Sequence, residues 1–144
     1  MRLRLDVPAS WERRGDRFYV PGGGEGVLYH PVPTPQDPVA WLRGLLGAGT
    51  DDQVQVGAID TELGWPALRG QVQLSTAVGH EVRIGAVYFL LDFVAAVVIT
   101  GLQPGRLPEL EPSVGAVLAS ARPDWRGPQV VALVDIWEPE GMIE

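Results

Sequence analysis

The chain has 144 residues, 46% of them hydrophobic, with no cysteine, no lysine and a formal net charge of −7. That size and composition give a single domain, residues 1–144, able to bury its own core, and the missing thiols exclude disulfides, zinc–thiolate centres, iron–sulfur clusters and thiol catalysis. The eleven basic residues, all arginine, are scattered apart from a modest N-terminal group at Arg2, Arg4, Arg13, Arg14 and Arg17, so the chain lacks the concentrated cations of a nucleic-acid binder.

The opening "LRLDVP" alternates apolar and polar residues as a half-buried strand does, and Pro8 ends it. Asp6 and Pro8 also interrupt the apolar run that a secretory signal requires, so a cytoplasmic protein is expected. "RFYVPGGGEGVLYHPV" reads as two strands joined at Gly22 to Gly24. A phosphate-binding loop would need Lys and Ser or Thr after the glycines, and a helix; Glu25 and a strand follow instead, so these glycines form a turn.

A first helix is predicted in "TPQDPVAWLRGLLGAG". Thr34 or Asp37 supplies the cap, Pro35 or Pro38 the first helical position, and Gly47 and Gly49 the stop. Val39, Leu42, Leu45 and Leu46 share one face. Val54 and Val56, then Val72 and Leu74, alternate with polar residues and predict one-sided strands. "ELGWPA" between them is a turn anchored by Trp65, and "AVGHE" is the next turn.

The stretch "IGAVYFLLDFVAAVVITGL", residues 84–102, is long enough for a membrane span or a buried helix, but Val, Ile, Phe, Tyr and Thr fill ten of its nineteen positions and favour strands. Asp92 near its middle fits a turn and opposes insertion into a bilayer. A hairpin is therefore predicted, Glu81 to Leu91 and Phe93 to Gly101, although the turn lacks the usual Asn-Gly or Asp-Gly pair. This is not an integral membrane protein on that reading.

A second helix, in "LPELEPSVGAVLASARPDW", aligns Leu110, Val114, Val117, Leu118 and Ala121, with Glu109 and Glu111 at its positive end, Arg122 at its negative end and Pro123 as its stop. A last strand is predicted over Gln129 to Trp137, before a short acidic tail. The order β-β-β-α-β-β-β-β-α-β predicts a two-layer α+β sandwich, a mostly antiparallel sheet with two helices packed on one face.

From Ala86 onward the hairpin is apolar on both sides, as is Val130 to Trp137 apart from Asp135. A strand apolar on both sides is buried on both sides. Its second cover is the chain itself, a second copy in a homodimer, or another protein. The working face so inferred surrounds Tyr88, Leu90, Val97, Val134 and Trp137.

Catalytic and metal-binding patterns are thin. His30 and His80 show no metal-ligand spacing, Ser10, Ser75, Ser113 and Ser120 lack a nucleophile-elbow sequence, and the acid pairs Asp51–Asp52, Asp60–Glu62 and Glu109–Glu111 fall in turns or at a helix start. No catalytic residue, cofactor or metal ligand is assigned, and no enzymatic activity is expected. Trp41, Trp125 and Trp137 are either core residues or binding anchors.

The opening "LRLDVPASWERRGDRFYVP" resembles the start of Mog1/PsbP-like domains, with a strand, Pro8 and then Trp11. The resemblance continues through the helix after "HPVPTPQDP", the turn and strand "GWPALRGQVQ", the long strand pair and the helix near "PSVGAVLASAR", over most of residues 1–126. It implies a Mog1/PsbP-like fold. It also implies kinship with bacterial DcrB-like proteins, among them small chaperones that shield apolar segments of type VI secretion effectors. The strand at 129–137 departs from the simplest version of that fold and is a candidate dimer or partner element. The expected function is a non-enzymatic adaptor or secretion chaperone with a protein partner. A small-ligand or lipid carrier is the alternative, and an enzyme the third reading.

Overall fold

The computed structural model describes residues 2–124. In chain order the elements are β1 (Arg2–Arg4), β2 (Glu12–Arg14), β3 (Arg17–Val20), β4 (Gly24–Pro33), α1 (Pro38–Leu46), β5 (Gln55–Ala58), β6 (Ala67–Thr76), β7 (Gly79–Leu90), β8 (Phe93–Leu102), α2 (Leu107–Ala119) and β9 (Arg122–Asp124). Seven strands form an antiparallel sheet in the order β2-β3-β4-β8-β7-β6-β5, while β1 pairs with β9 in a two-stranded ribbon. The fold is α+β with an antiparallel sheet, as the pattern predicts. The short strands β2 and β9 were not expected: Pro123, read as a helix stop, also lies opposite Leu3 in the ribbon. The strand expected over 129–137, with Val134 and Trp137, lies outside the described residues.

Local chemistry explains the elements. Asp37 caps α1 by accepting from the Ala40 N–H at 3.0 Å, Pro38 sits in the first turn, and Gly47 ends the helix at φ 69°. Gly22 and Gly23 make the predicted turn at φ 96° and 119°, and the Arg106 guanidinium lies where a Gly22 side chain would be. The β7–β8 hairpin falls where the apolar run predicts it, with Leu90 opposite Phe93 and Ala86 opposite Val97.

The helices do not share a face, which corrects the two-layer expectation. Leu42 and Leu46 of α1 press on Gly70 and Gly85, together with Val72, Val87, Val94 and Val98. Val114, Val117 and Leu118 of α2 pack on the other side, with Val82, Ile84, Ala86, Tyr88, Leu90, Val97 and Ile99. Three layers result, α1 over sheet over α2. The physical reason is the two-sided β7–β8 pair: each side carries its own apolar row, and one helix covers each.

Candidate docking rim at the hairpin end

The expected working face is interior. Tyr88, Leu90 and Val97 are 0%, 1% and 0% exposed, beneath α2. The Tyr88 hydroxyl donates to the Leu118 carbonyl at 2.7 Å, filling an acceptor near the helix C-terminus. Burial pushes its phenol well above the ordinary value of 10.0, with a smaller opposing effect from Arg69. These residues are core, and the intramolecular cover is the correct one of the three alternatives for this part of the sheet. The same packing fills the space that a ligand or lipid pocket on this face would need.

Exposed apolar surface gathers elsewhere. Five of the eight exposed large hydrophobics, Val32, Val39, Leu63, Leu91 and Phe93, lie at the end of the sheet where β7 turns into β8. Several contacts place their segments at this end, with Val32 and Val39 on the α1 side of the sheet and Phe93 and the Leu63 loop on the α2 side. Pro33 is opposite Phe93 and Val32 opposite Val94, and the Thr34 N–H donates to the Asp92 carbonyl at 3.0 Å. Val39 is in the first turn of α1, which follows directly from β4. The loop carrying Leu63 is tied to this end by Phe89 N–H to the Pro66 carbonyl at 2.9 Å and by Glu62 N–H to the Ala119 carbonyl at 2.8 Å.

Leu91 is the most exposed residue of this rim. It is 80% exposed, and it has φ 61°, a left-handed conformation that no other non-glycine residue adopts among those described. It holds the first position of a two-residue hairpin, where glycine is favoured and a branched aliphatic chain is costly. A strained backbone presenting an apolar side chain to water is a combination that folding alone does not select. The absent Asn-Gly or Asp-Gly pair was the sequence signal for this site; only the register shows that Leu91 occupies the tight position.

Residues considered for chemistry are dispersed. His30 Nε2 is 3.3 Å from Asp16 on the surface. Ser75 Oγ and His80 Nδ1 are 3.5 Å apart on an exposed strand pair, while the neighbouring Glu81 carboxylate turns to Arg83 and the Gly101 N–H. Asp52 accepts from the Gly49 N–H, Glu109 pairs with Arg106, and Glu111 pairs with Arg69. Among the described residues no three His, Cys, Asp or Glu side chains converge to hold a metal ion. Trp41 packs against the α1-side core, and Trp11 stacks on Phe18 at 6.0 Å. Among the described residues no helix is long and apolar enough to cross a membrane.

No protein-family model matches the chain, and no curated protein matches it. Solved structures do. The chain is similar to LpqN of Mycobacterium tuberculosis, described as involved in cell envelope biogenesis, at 12% identity and TM-score 0.60, over 83% of this chain and 81% of that one. It is similar to PA94 of Pseudomonas aeruginosa, a putative regulator of unknown function, at 15% identity and TM-score 0.57, over 86% and 99%. It is also similar to the cyanobacterial PsbP, CyanoP, of Synechocystis sp. PCC 6803, at 10% identity and TM-score 0.55, over 84% and 92%. At these identities the likeness establishes architecture alone, and the chain has the Mog1/PsbP-like fold.

Proposed function

We propose that this is a non-enzymatic adaptor, in the manner of a secretion chaperone, which docks an apolar segment of a protein partner on the rim of Val32, Val39, Leu63, Leu91 and Phe93. The observation that carries the reading is Leu91, strained at φ 61° and 80% exposed. The rim replaces the sheet face as the docking surface, because α2 already covers Tyr88, Leu90 and Val97. A cytoplasmic setting, a type VI effector as the partner and a homodimer formed through the same rim are finer parts of this proposal. Cell fractionation, effector co-expression and light scattering test them in turn.

The first test is co-purification of the wild-type chain from its own cells beside Leu91→Gly and Phe93→Ser. Val78→Ser, at a different and fully exposed hairpin, is the control. A stoichiometric partner kept by the control and lost by both rim variants supports the reading. A partner indifferent to all three substitutions places the docking surface elsewhere.

A further inference from the structure

We propose that the outer edge of β5 is a strand-addition site for an extended segment of a basic protein partner, separate from the hairpin rim. β5 is the last strand of the sheet. Its hydrogen-bond phase is fixed by the Ile59 N–H, which donates to the Ala67 carbonyl at 3.0 Å. In an antiparallel ladder the bonded positions alternate. Gln55 and Gly57 therefore bond toward β6, and the N–H and C=O groups of Val56 and Ala58 point outward. Four main-chain groups, two donors and two acceptors, stand in the spacing that an added strand requires.

This edge is not protected as exposed edges usually are. The opposite margin, β2, is Glu12-Arg13-Arg14, three charges on a three-residue strand. β5 is Gln-Val-Gly-Ala, with no charge and no proline, and all four residues are exposed. Beside it lies an open concavity of about 290 Å³, lined by Gln55, Val56, Gly57, Ala58, Arg69 and Gln71. Gly57 opens onto it, since a Cβ there would meet nothing within 4 Å. A side chain of an added strand can occupy that space.

Charge selects the occupant. Residues 44–68 contain no arginine, lysine or histidine, and Asp51, Asp52, Asp60 and Glu62 bracket β5 on both sides. The nearest cations are engaged: Arg43 donates to the Gly49 and Asp52 carbonyls, and Arg69 holds Glu111 through both nitrogens. Glu62 also acts on Arg122. The complementary segment has a short uncharged core with arginine or lysine two to three residues beyond each end.

The test is amide NMR on the isotopically labelled full chain, titrated with the peptide Arg-Arg-Ser-Thr-Val-Thr-Val-Ser-Arg-Arg. Controls are the same core flanked by glutamates and the same peptide N-methylated through its core. The expected result is binding below about 1 mM, with the largest shifts at Val56 and Ala58, and no binding of either control. Ala58→Pro removes an outward N–H, which edge strands tolerate, and weakens binding about tenfold or more. Leu91→Gly leaves it unchanged, which separates this site from the rim. Shifts centred elsewhere, equal binding of the glutamate or N-methylated peptide, or no binding at about 1 mM overturns the proposal. So does a folded Ala58→Pro variant that binds as the wild type does.

Discussion

Gly70 and Gly85 stand directly opposite each other across β6 and β7, and Leu42 and Leu46 of α1 press on both. A Cβ on either glycine would come within 2.8 Å of Leu42. The glycine pair is the floor that lets a nine-residue helix seat closely enough to cover its side of the sheet. Gly85→Val is expected to cost about 1–3 kcal/mol through overpacking. Urea unfolding followed by circular dichroism measures it, and an unchanged midpoint means that α1 seats elsewhere.

Val97 is 0% exposed, between α2 and the sheet. Val97→Asp places an unpaired carboxylate in that core and is expected to unfold the domain, at a cost of more than about 3 kcal/mol. A folded Val97→Asp protein would return this residue to the surface and reopen the sheet face as a binding site.

Tyr88→Phe removes only the hydroxyl that meets the Leu118 carbonyl. About 1 kcal/mol of destabilisation is expected in the same unfolding experiment, with the fold kept. Because burial raises the Tyr88 pKa, the wild-type minus Tyr88→Phe ultraviolet difference should show no phenolate at pH 11. Phenolate appearing below that pH in the difference spectrum contradicts the burial.

Glu81 is held below its ordinary value of 4.5 chiefly by the hydrogen bond from Arg83, against an opposing burial effect, with the Gly101 N–H adding to the lowering. A lowered carboxylate contributes stability that is fully present above the unfolded value and is lost as pH falls through the folded one. Glu81→Gln should therefore destabilise the protein by about 1 kcal/mol at pH 7, with the gap closing as pH falls below 4.5 and through the lowered folded value. A gap independent of pH would assign the effect to shape rather than charge.

Leu91→Gly relieves a left-handed leucine and is expected to raise stability by up to about 1 kcal/mol, the relief being partly offset by the greater freedom of glycine in the unfolded chain. The same variant loses the partner if the rim is the docking surface. Greater stability with lost binding identifies strain kept for function; lower stability shows that Leu91 packs where the exposed geometry has it free.

The sequence by itself determined the longer elements. The run from Ile84 to Leu102 declared a hairpin through β-branched and aromatic residues and a central Asp92, and α1 was bounded by Asp37, Pro38 and Gly47. These are local effects, fixed by neighbouring dihedrals and side-chain periodicity. The two-sided apolar character of β7 and β8 was equally legible, and it required a second cover.

Only the tertiary structure decided what that cover is. Whether α1 lies beside α2 or opposite it depends on the crossover from β4 and on the glycine floor at Gly70 and Gly85, which meet across fourteen intervening residues of the chain. Tyr88, Leu90 and Val97 were placed on an open face because parity shows which residues share a side, not which side is covered. The placing of Leu91 in the turn and the outer groups of Val56 and Ala58 were invisible for the same reason. Exposure and hydrogen-bond phase are properties of paired strands, and no single segment carries them.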